Sequence, residues 1–497
     1  MSAPTSGHLF CGAGGDSKGF ALAGFDVRLG ANHWDRAVET HAANFPDAEH
    51  LCANLDHYDM RRLPRTDVLV ASPICTESSP ADGVARPKKA PTPGQLDLLE
   101  QGPVADAAWE RTRATAYDIL RAVEIHDYLA VVCENVPRFA TAWPLFHWWL
   151  SGMEVLGYRH QVVSVSAAHV GDMGNDPAAQ WRDRIIIVFT KTSLPKPDLE
   201  LRPRAWCPTC GTDVDAVQAW RNGNKIGRYR QQYDYRCPNN ACRHQVVEPY
   251  VAPAASILDW TDLGIRIGDR PEKRMRPLAA STLRKIRLGL EKHRVPSIIT
   301  ANHTDPGDGR AAPAHLSPLG TRTLRIGDGL AVPPLLVPTG GSWNTDAYPV
   351  AVPMRTRMTR ESEGVLIPAP FITEHRGGGS TTRAVLDPLA TITAGGNHHG
   401  LVIPYRRGSA KTTAEPVHTI ATRESAALVL GADTTAAEIA IEDCWFRMLS
   451  PREHLRAQRF TDDYTVLGNV GEQTAQAGNA VPCNVAQWIA TKLLEVL

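Results

Sequence analysis

Residues 7–34 read GHLFCGAGGDSKGFALAGFDVRLGANHW. An apolar run enters a glycine-rich turn. Small and apolar residues then recur at helical spacing through SKGFALAGF, and FDVRLGANHW returns as a second strand. Downstream, DRAVETHAANF reads as a helix and TDVLVASPIC as a strand that ends in a loop. ATAYDILRAVEIHD is a further helix, and YLAVVCENVP, VVSVSAAHV and DRIIIVFT are further strands. This alternation predicts a parallel, doubly wound α/β sheet. Its chemistry belongs at the C-terminal strand ends, where loops and helix N-termini converge.

A chain of 497 residues is too long for one core of ordinary size and predicts two or three domains. Apolar residues make up 43% and charged residues 21%, as in a soluble globular protein. No apolar run of about 18 residues predicts a membrane span. The first residues lack a basic segment followed by a long apolar one, which predicts a cytoplasmic protein. The formal net charge is zero, so any nucleic-acid contact must come from local patches. Four of the ten cysteines fall in two pairs at 207–242, a layout of metal sites rather than disulfides in a chain without an export signal.

After Thr190 the texture changes. LPKPDLELRPRAW is a proline-rich linker, and the paired cysteines follow. Residues 265–294 carry ten Lys/Arg against three Asp/Glu. From 297 to 430 turn residues are dense and helical periodicity is absent. PSIITANH, PAPFITEHRGGG and LVIPYRRG echo one another, as do SPLGTRTLR, DPLATITAGGNHHG and EPVHTIATRE. This predicts an irregular β-rich region with a trace of duplication. The α/β texture resumes near Ile441. An insert between two pieces of one α/β domain suits substrate recognition, with the chemistry left on the scaffold.

Four strand ends carry candidate chemistry. Phe10-Cys11-Gly12-Ala13-Gly14-Gly15 joins a strand to a helix. Glycine allows close approach to a ligand, and a helix N-terminus favours an anionic group. An ordinary βα turn reads the same way, and the G-x-G-x-x-G spacing of dinucleotide sites is incomplete. In Ser72-Pro73-Ile74-Cys75 the thiol is either a partly exposed nucleophile or a buried, inert side chain. In Cys133-Glu134-Asn135-Val136-Pro137 the carboxylate follows an apolar run, where it shares a proton or serves as a cap or ion-pair partner. In Gln180-Trp181-Arg182-Asp183-Arg184, strand alternation predicts both arginines on one face, for an anionic substrate or as a charged edge.

Taken in order, the glycine turn, P-x-C, E-N-V and Q-x-R-x-R resemble motifs of the DNA cytosine-C5 methyltransferases. So do two later stretches, Arg447-Met448-Leu449-Ser450-Pro451-Arg452-Glu453 with HLRAQRFTDDY, and Gln476-Ala477-Gly478-Asn479-Ala480-Val481-Pro482. The likeness covers residues 1–190 and 441–497. It implies a Rossmann-like methyltransferase domain (1–195, completed by 436–497) interrupted by a zinc-ribbon-like module (196–250) and a β-rich target-recognition region (251–435). It implies that Cys75 attacks C6 of a cytosine flipped out of double-stranded DNA. Glu134 would contact the base at N3 and its exocyclic amine, while Arg182 and Arg184 would hold the base and a neighbouring phosphate. The implied cofactor is S-adenosylmethionine. Phe10, Gly12, Gly14 and Pro73 would line its methionine and ribose side, and Trp34 would stack on adenine. His33 would face the ribose and Asn54 the adenine amine, with Asn479 and Val481 closing over it. A bacterial or phage origin, action as a monomer and a companion restriction nuclease complete what the resemblance implies.

The chain departs from the family pattern at four positions. Ile74 and Thr76 flank Cys75 where proline and glutamine are usual, His33 replaces an acidic residue, and Asn54 replaces an aspartate. Asparagine keeps an acceptor, whereas histidine does not keep the charge. These changes leave room for a relative that binds DNA without catalysis. An enzyme of the same fold that acts on RNA, or adds a larger group, is a further reading.

Cys207-Pro-Thr-Cys210 and Cys237-Pro-Asn-Asn-Ala-Cys242 are separated by 26 residues, the pattern of a zinc ribbon. Between them Arg221, Lys225, Arg228 and Arg230 interleave with Tyr229, Tyr233 and Tyr235. That mixture suits a surface that tracks a nucleic-acid backbone, or a solvated hairpin. Residues 266–294, His375-Arg376 and Asn397-His398-His399-Gly400 are further candidates for DNA contact.

Overall fold

The computed structural model describes residues 2–73 and 107–278 apart from 173, 222, 224, 253 and 263, and residues 280, 283, 286, 442 and 444–497. Between Ser297 and Val402 it describes the backbone of nine short strands. Cys75 lies outside the described residues, as do Ile74, Thr76, His375-Arg376, Asn397-His398, the stretch EPVHTIATRE and most of the basic segment beyond 278. The chain divides into two units. One comprises Met1–Ile257, Ser317–Ile326 and Ser450–Leu497, and the other Leu258–Leu316 and Gly327–Leu449.

The first unit is built on seven strands: β1 (Thr5–Leu9), β2 (Asp26–Asn32), β3 (Glu49–Cys52), β4 (Val68–Ala71), β5 (Ala130–Asn135), β6 (Tyr158–Ser166) and β7 (Asp183–Lys191). Their order across the sheet is β3-β2-β1-β4-β5-β7-β6. The first five run parallel, but β7 is antiparallel to both β5 and β6, so the sheet is mixed rather than wholly parallel. The cause is local. Ser166 and Asp183 are joined without an α-helix to carry the chain back, so β6 and β7 pair in unbroken antiparallel register from Tyr158↔Lys191 to Ser166↔Asp183.

Helices cover both faces: α1 (Gly15–Ala23), α2 (Asp35–Asn44), α3 (Ala107–His126), α4 (Pro137–Ala142), α5 (Phe146–Val155), α6 (Pro451–Arg456), α7 (Val470–Asn479) and α8 (Cys483–Leu494). Side chains alternate across each strand, so each face has its own core. Leu9, Leu69, Val131 and Ile187 pack with Ile119 of α3 and Trp149 of α5. Val68, Val70, Val132 and Ile186 pack with Phe20 of α1 and Val485, Ile489 and Leu493 of α8. The chain's last helix therefore completes a layer begun by its first. Close approach of α1 to α8 requires glycine. A Cβ on Gly15 would lie 2.0 Å from the Val481 carbonyl oxygen, and one on Gly19 would lie 2.4 Å from the Ala486 Cβ. The Ser450-x-x-Glu453 capping box starts α6, with Ser450 N–H donating to Glu453 Oε2 at 2.7 Å.

The paired cysteines sit in the same unit. A hairpin of β8 (Arg204–Cys207) and β9 (Thr212–Asp215) carries the first pair at its turn. A three-stranded sheet of β10 (Val217–Trp220), β11 (Tyr233–Arg236) and β12 (Val246–Val247) carries the second pair between β11 and β12.

The second unit is β-rich, as its turn-dense sequence predicts. Ile265–Arg266, Trp445–Met448, Asp328–Val332, Ser297–Thr300 and Ala311–Pro313 lie side by side in a five-stranded sheet. Leu335–Pro338 and Phe371–Glu374 are each the central strand of a three-stranded sheet. Among the described residues no helix is long and apolar enough to cross a membrane.

Candidate active site

Strand order reverses between β1 and β4, the place where open α/β sheets form a ligand crevice. A cleft there is lined by Asp16, Phe20, Ser72, Glu134, Val481 and Ile489. It draws on α1, the ends of β4 and β5, and the late stretch from Val481 into α8.

The turn after β1 holds Phe10, Gly12 and Gly14 at φ of 59°, 53° and 78°. The two glycines are not equivalent. A Cβ on Gly14 would meet the Tyr464 hydroxyl at 2.5 Å, and that hydroxyl donates to the Ala13 carbonyl at 2.6 Å. Among the described residues, a Cβ on Gly12 would meet nothing within 4 Å. Gly14 is thus backed by protein, whereas Gly12 has no such neighbour among the described residues. Asp16 follows on α1, buried, with Oδ2 3.0 Å from His8 Nδ1. His8 Nε2 lies 2.9 Å from Ser6 Oγ. A carboxylate only accepts, so His8 Nδ1–H donates to Asp16 and Ser6 donates to Nε2. Among the described residues Asp16 Oδ1 and Ser72 Oγ are buried without a hydrogen-bond partner, and both residues line the cleft.

Both polar residues of E-N-V act from the end of β5. Glu134 Oε1 lies 2.6 Å from Arg184 Nε in a buried ion pair. Asn135 Nδ2 donates to the Pro73 carbonyl at 3.1 Å, which fastens the chain two residues before Cys75. The two arginines diverge. Arg184 Nη1 also donates to the Asp183 carbonyl at 2.8 Å. Arg182 instead donates to the carbonyls of Gly478 (3.2 Å) and Ala480 (2.8 Å), tying the middle of the chain to its end. β7 begins only at Asp183, so strand alternation does not extend back to Arg182.

On the β2 side, Trp34 is half-buried at the start of α2, and its N–H donates to Asn32 Oδ1 at 3.0 Å. His33 is exposed. Asn54 is exposed too, and its Oδ1 accepts from the Asp56 N–H at 3.3 Å to cap a single turn. The acceptor expected to face adenine is therefore engaged in a local cap. Asn479 is exposed at the end of α7, and Val481 is buried against the cleft. Asp16, Ser72, Asn135 and Tyr464 were not readable as site residues. Asp16 follows the glycine turn, and Ser72, Asn135 and Tyr464 lie inside stretches that carry the family resemblance without being their reactive groups.

A model of the C-5 cytosine-specific DNA methylase family matches residues 5–208 and 369–495, more than half of the chain. The chain belongs to that family. The methylase match reaches further than the motifs read from sequence, taking in Cys207 and part of the second unit. A Type II methyltransferase of Staphylococcus aureus, M.Sau96I, is 45% identical over 51 residues, which is 10% of this chain. The chain spans 12% of the length of that curated relative. Among solved structures, a DNA modification methyltransferase encoded within an E. coli prophage is similar at 13% identity and a TM-score of 0.43, covering 99% of each chain. The S. pombe Dnmt2 methyltransferase is similar at 11% identity and a TM-score of 0.43, covering 99% of this chain and 98% of its own.

The four cysteines of the paired module come together. Their sulfurs all lie within 4.8 Å of one another, and Cys210 and Cys237 are 3.9 Å apart. A tetrahedral zinc with bonds of about 2.3 Å needs sulfurs about 3.8 Å apart, so the set fits. Cys242 is brought down to about 7, chiefly by the Gln245 backbone hydrogen bond, whereas burial pushes Cys237 up to about 12. Tyr229, Tyr233 and Tyr235 are buried in the module's own core. That corrects the expectation of an aromatic surface for nucleic acid, since alternation on β11 turns both of its tyrosines inward.

Proposed function

We propose that this chain transfers the methyl group of S-adenosylmethionine to C5 of a cytosine flipped out of double-stranded DNA, through a covalent bond between Cys75 and C6. The observation that carries the reading is the buried Glu134–Arg184 pair beside the Pro73 carbonyl that Asn135 holds. A base-binding carboxylate and the approach to the nucleophile thus leave the ends of two adjacent parallel strands, β5 and β4.

Free cysteine has a pKa of about 8.5, so its thiolate needs local support near pH 7. In this reading the Cys75 thiolate adds to C6, and the ring's electrons move to C5. Glu134 accepts from the exocyclic amine and shares a proton with N3, so that the negative charge entering the ring is neutralised there, and Arg184 keeps the carboxyl group oriented. When bound, the sulfonium cofactor supplies the methyl group and leaves as a neutral thioether. Loss of the C5 proton to a base, with return of the electron pair, then expels Cys75. The residues present fit such a cofactor. Gly12 leaves room for close approach, and the buried oxygens of Asp16 and Ser72 lack protein partners among the described residues. Phe10, Gly14, Pro73, Trp34 and Val481 would enclose it, while His33 and Asn54 offer a weaker grip than the acidic residues usual there. Arg182 serves this site through the Gly478 and Ala480 carbonyls, and Asn479 closes it. Extrusion of the base is required because stacking shields C6 in the duplex. Action as a monomer beside a companion nuclease belongs to the same reading.

The four cysteines bind structural zinc in this proposal, and the β-rich region reads the target. Labelled S-adenosylmethionine and duplex DNA test the reaction. Transfer is expected with wild type and lost in Cys75→Ala; no transfer to any DNA would contradict it.

A further inference from the structure

Residues that the reaction does not use form a continuous path between the four cysteines and Glu134. Cys207, Cys237 and Cys242 share one buried cluster with Tyr229, Tyr233 and Tyr235, and Trp181 packs against it. The Tyr229 and Tyr235 rings meet His169 edge-on, with centroids 4.4 and 5.1 Å away, and Trp181 meets it at 5.4 Å. His169 and Trp181 belong to the connection between β6 and β7, so this apolar core extends from the module into the catalytic sheet.

Polar ties run alongside. Gln218 Nε2 donates to the Ser164 carbonyl at 2.8 Å, and the Gly227 N–H donates to Ser164 Oγ at 3.2 Å, both on β6. The Tyr229 N–H donates to Asp183 Oδ1 at 3.3 Å. The Asp183 carbonyl accepts from Arg184, and Arg184 pairs with Glu134. Three of the module's exposed arginines are meanwhile paired with its own carboxylates: Arg221 with Asp234, Arg230 with Glu248, and Arg204 with Asp213 and Asp215.

We propose that the four-cysteine module is a metal-dependent strut for the active site, with Asp183 as the positioning residue that sets Arg184 against Glu134. The proposal rests on the methyltransferase reading. Four clustered thiols without a metal lose the bonds that close the module. Tyr229 then no longer fixes Asp183, and a misplacement of about 1 Å at the reacting groups can cost about a hundred-fold in rate.

The test uses the full chain as wild type, Cys207→Ser, Asp183→Ala and Asp183→Asn. Zinc per chain, Kd for duplex DNA, and kcat at saturating DNA and cofactor are measured. Wild type should hold about one zinc. Cys207→Ser should lose it, with kcat down at least about ten-fold and Kd for DNA changed by less than about three-fold. Asp183→Ala should show the same kcat loss with zinc retained. Asp183→Asn keeps an acceptor for the Tyr229 N–H and should stay within about three-fold of wild type. A Cys207→Ser protein with weaker DNA binding and unchanged kcat would overturn the strut, as would wild-type kcat in Asp183→Ala. If Cys207→Ser does not fold, the Asp183 pair decides alone. Wild type with less than about 0.2 zinc per chain overturns the metal dependence. Absence of transfer by wild type on every DNA overturns the methyltransferase reading itself.

Discussion

Glu134 sits buried with its oxygen 2.6 Å from Arg184, so its direction is set before any substrate arrives. Glu134→Gln keeps the shape and removes the charge. We expect kcat to fall by about 10²–10³, the range for losing one preorganised electrostatic contact, with Cys75 still reactive toward thiol reagents. Arg184→Met leaves a carboxylate buried and unpaired, and denaturant unfolding should show a loss of about 3 kcal/mol. His169 supplies a pH signature. Burial, and then the nearby Arg230 charge, hold it down at about 3, against about 6.5 in an unfolded chain. A depressed pKa means that the unfolded chain takes up the proton first. The stability His169 contributes is therefore complete above about pH 6.5 and lost as pH falls toward 3. Asp183, raised to about 6 by burial, has the opposite sign, favouring the fold at low pH and losing that contribution as pH rises through 6. The readout is thus the stability difference between wild type and His169→Gln, which should shrink on acidification below pH 6.5. A difference independent of pH would contradict the assignment. Glu134 and Pro73 could be named from motif order. The separate destinations of Arg182 and Arg184 could not, because spacing states which residues recur and not which carbonyl each one meets.

The strands and helices of the first 190 residues were legible wherever periodicity was strong. β4 and β5 are buried runs, and α1 and α3 repeat apolar residues at helical spacing. β3 was missed because EHLC is short and only half-buried. α5 was missed although Phe146, Trp149, Leu150 and Met153 recur at helical spacing, because Trp148 and Val155 on its exposed side blur that stripe. The direction of β7 escaped because a strand's pattern carries no arrow, although the missing helix before it held the information. Glycines in α1 and in the turn before it separate packing from ligand approach. Gly19→Ala forces a methyl group into α8 and should destabilise the fold by about 1–3 kcal/mol in urea unfolding. Gly12→Ala meets no neighbour among the described residues and strains the positive φ, at about 1–2 kcal/mol. It should nevertheless weaken S-adenosylhomocysteine binding in calorimetry more than Gly19→Ala does. Equal effects of the two on binding would remove the argument that Gly12 faces the cofactor.

At the scale of the molecule, the two ends of the chain build one catalytic unit, and the β-rich stretch between them forms a unit of its own. The interruption was visible as a change of texture, and the motifs on either side gave the family. Harder to see was the attachment of the cysteine module to the catalytic sheet, since burial of Tyr229, Tyr233 and Tyr235 is a tertiary property that their interleaving with arginine disguised. The central claim is that Cys75 forms a covalent bond to a flipped cytosine. Long duplex DNA with 5-fluorocytosine at every cytosine tests it without knowledge of the recognition sequence, because fluorine at C5 blocks release of the enzyme. A denaturation-resistant protein–DNA complex that needs S-adenosylmethionine and is absent with Cys75→Ala is the predicted result. No complex with wild type, or one that persists in Cys75→Ala, would contradict the account.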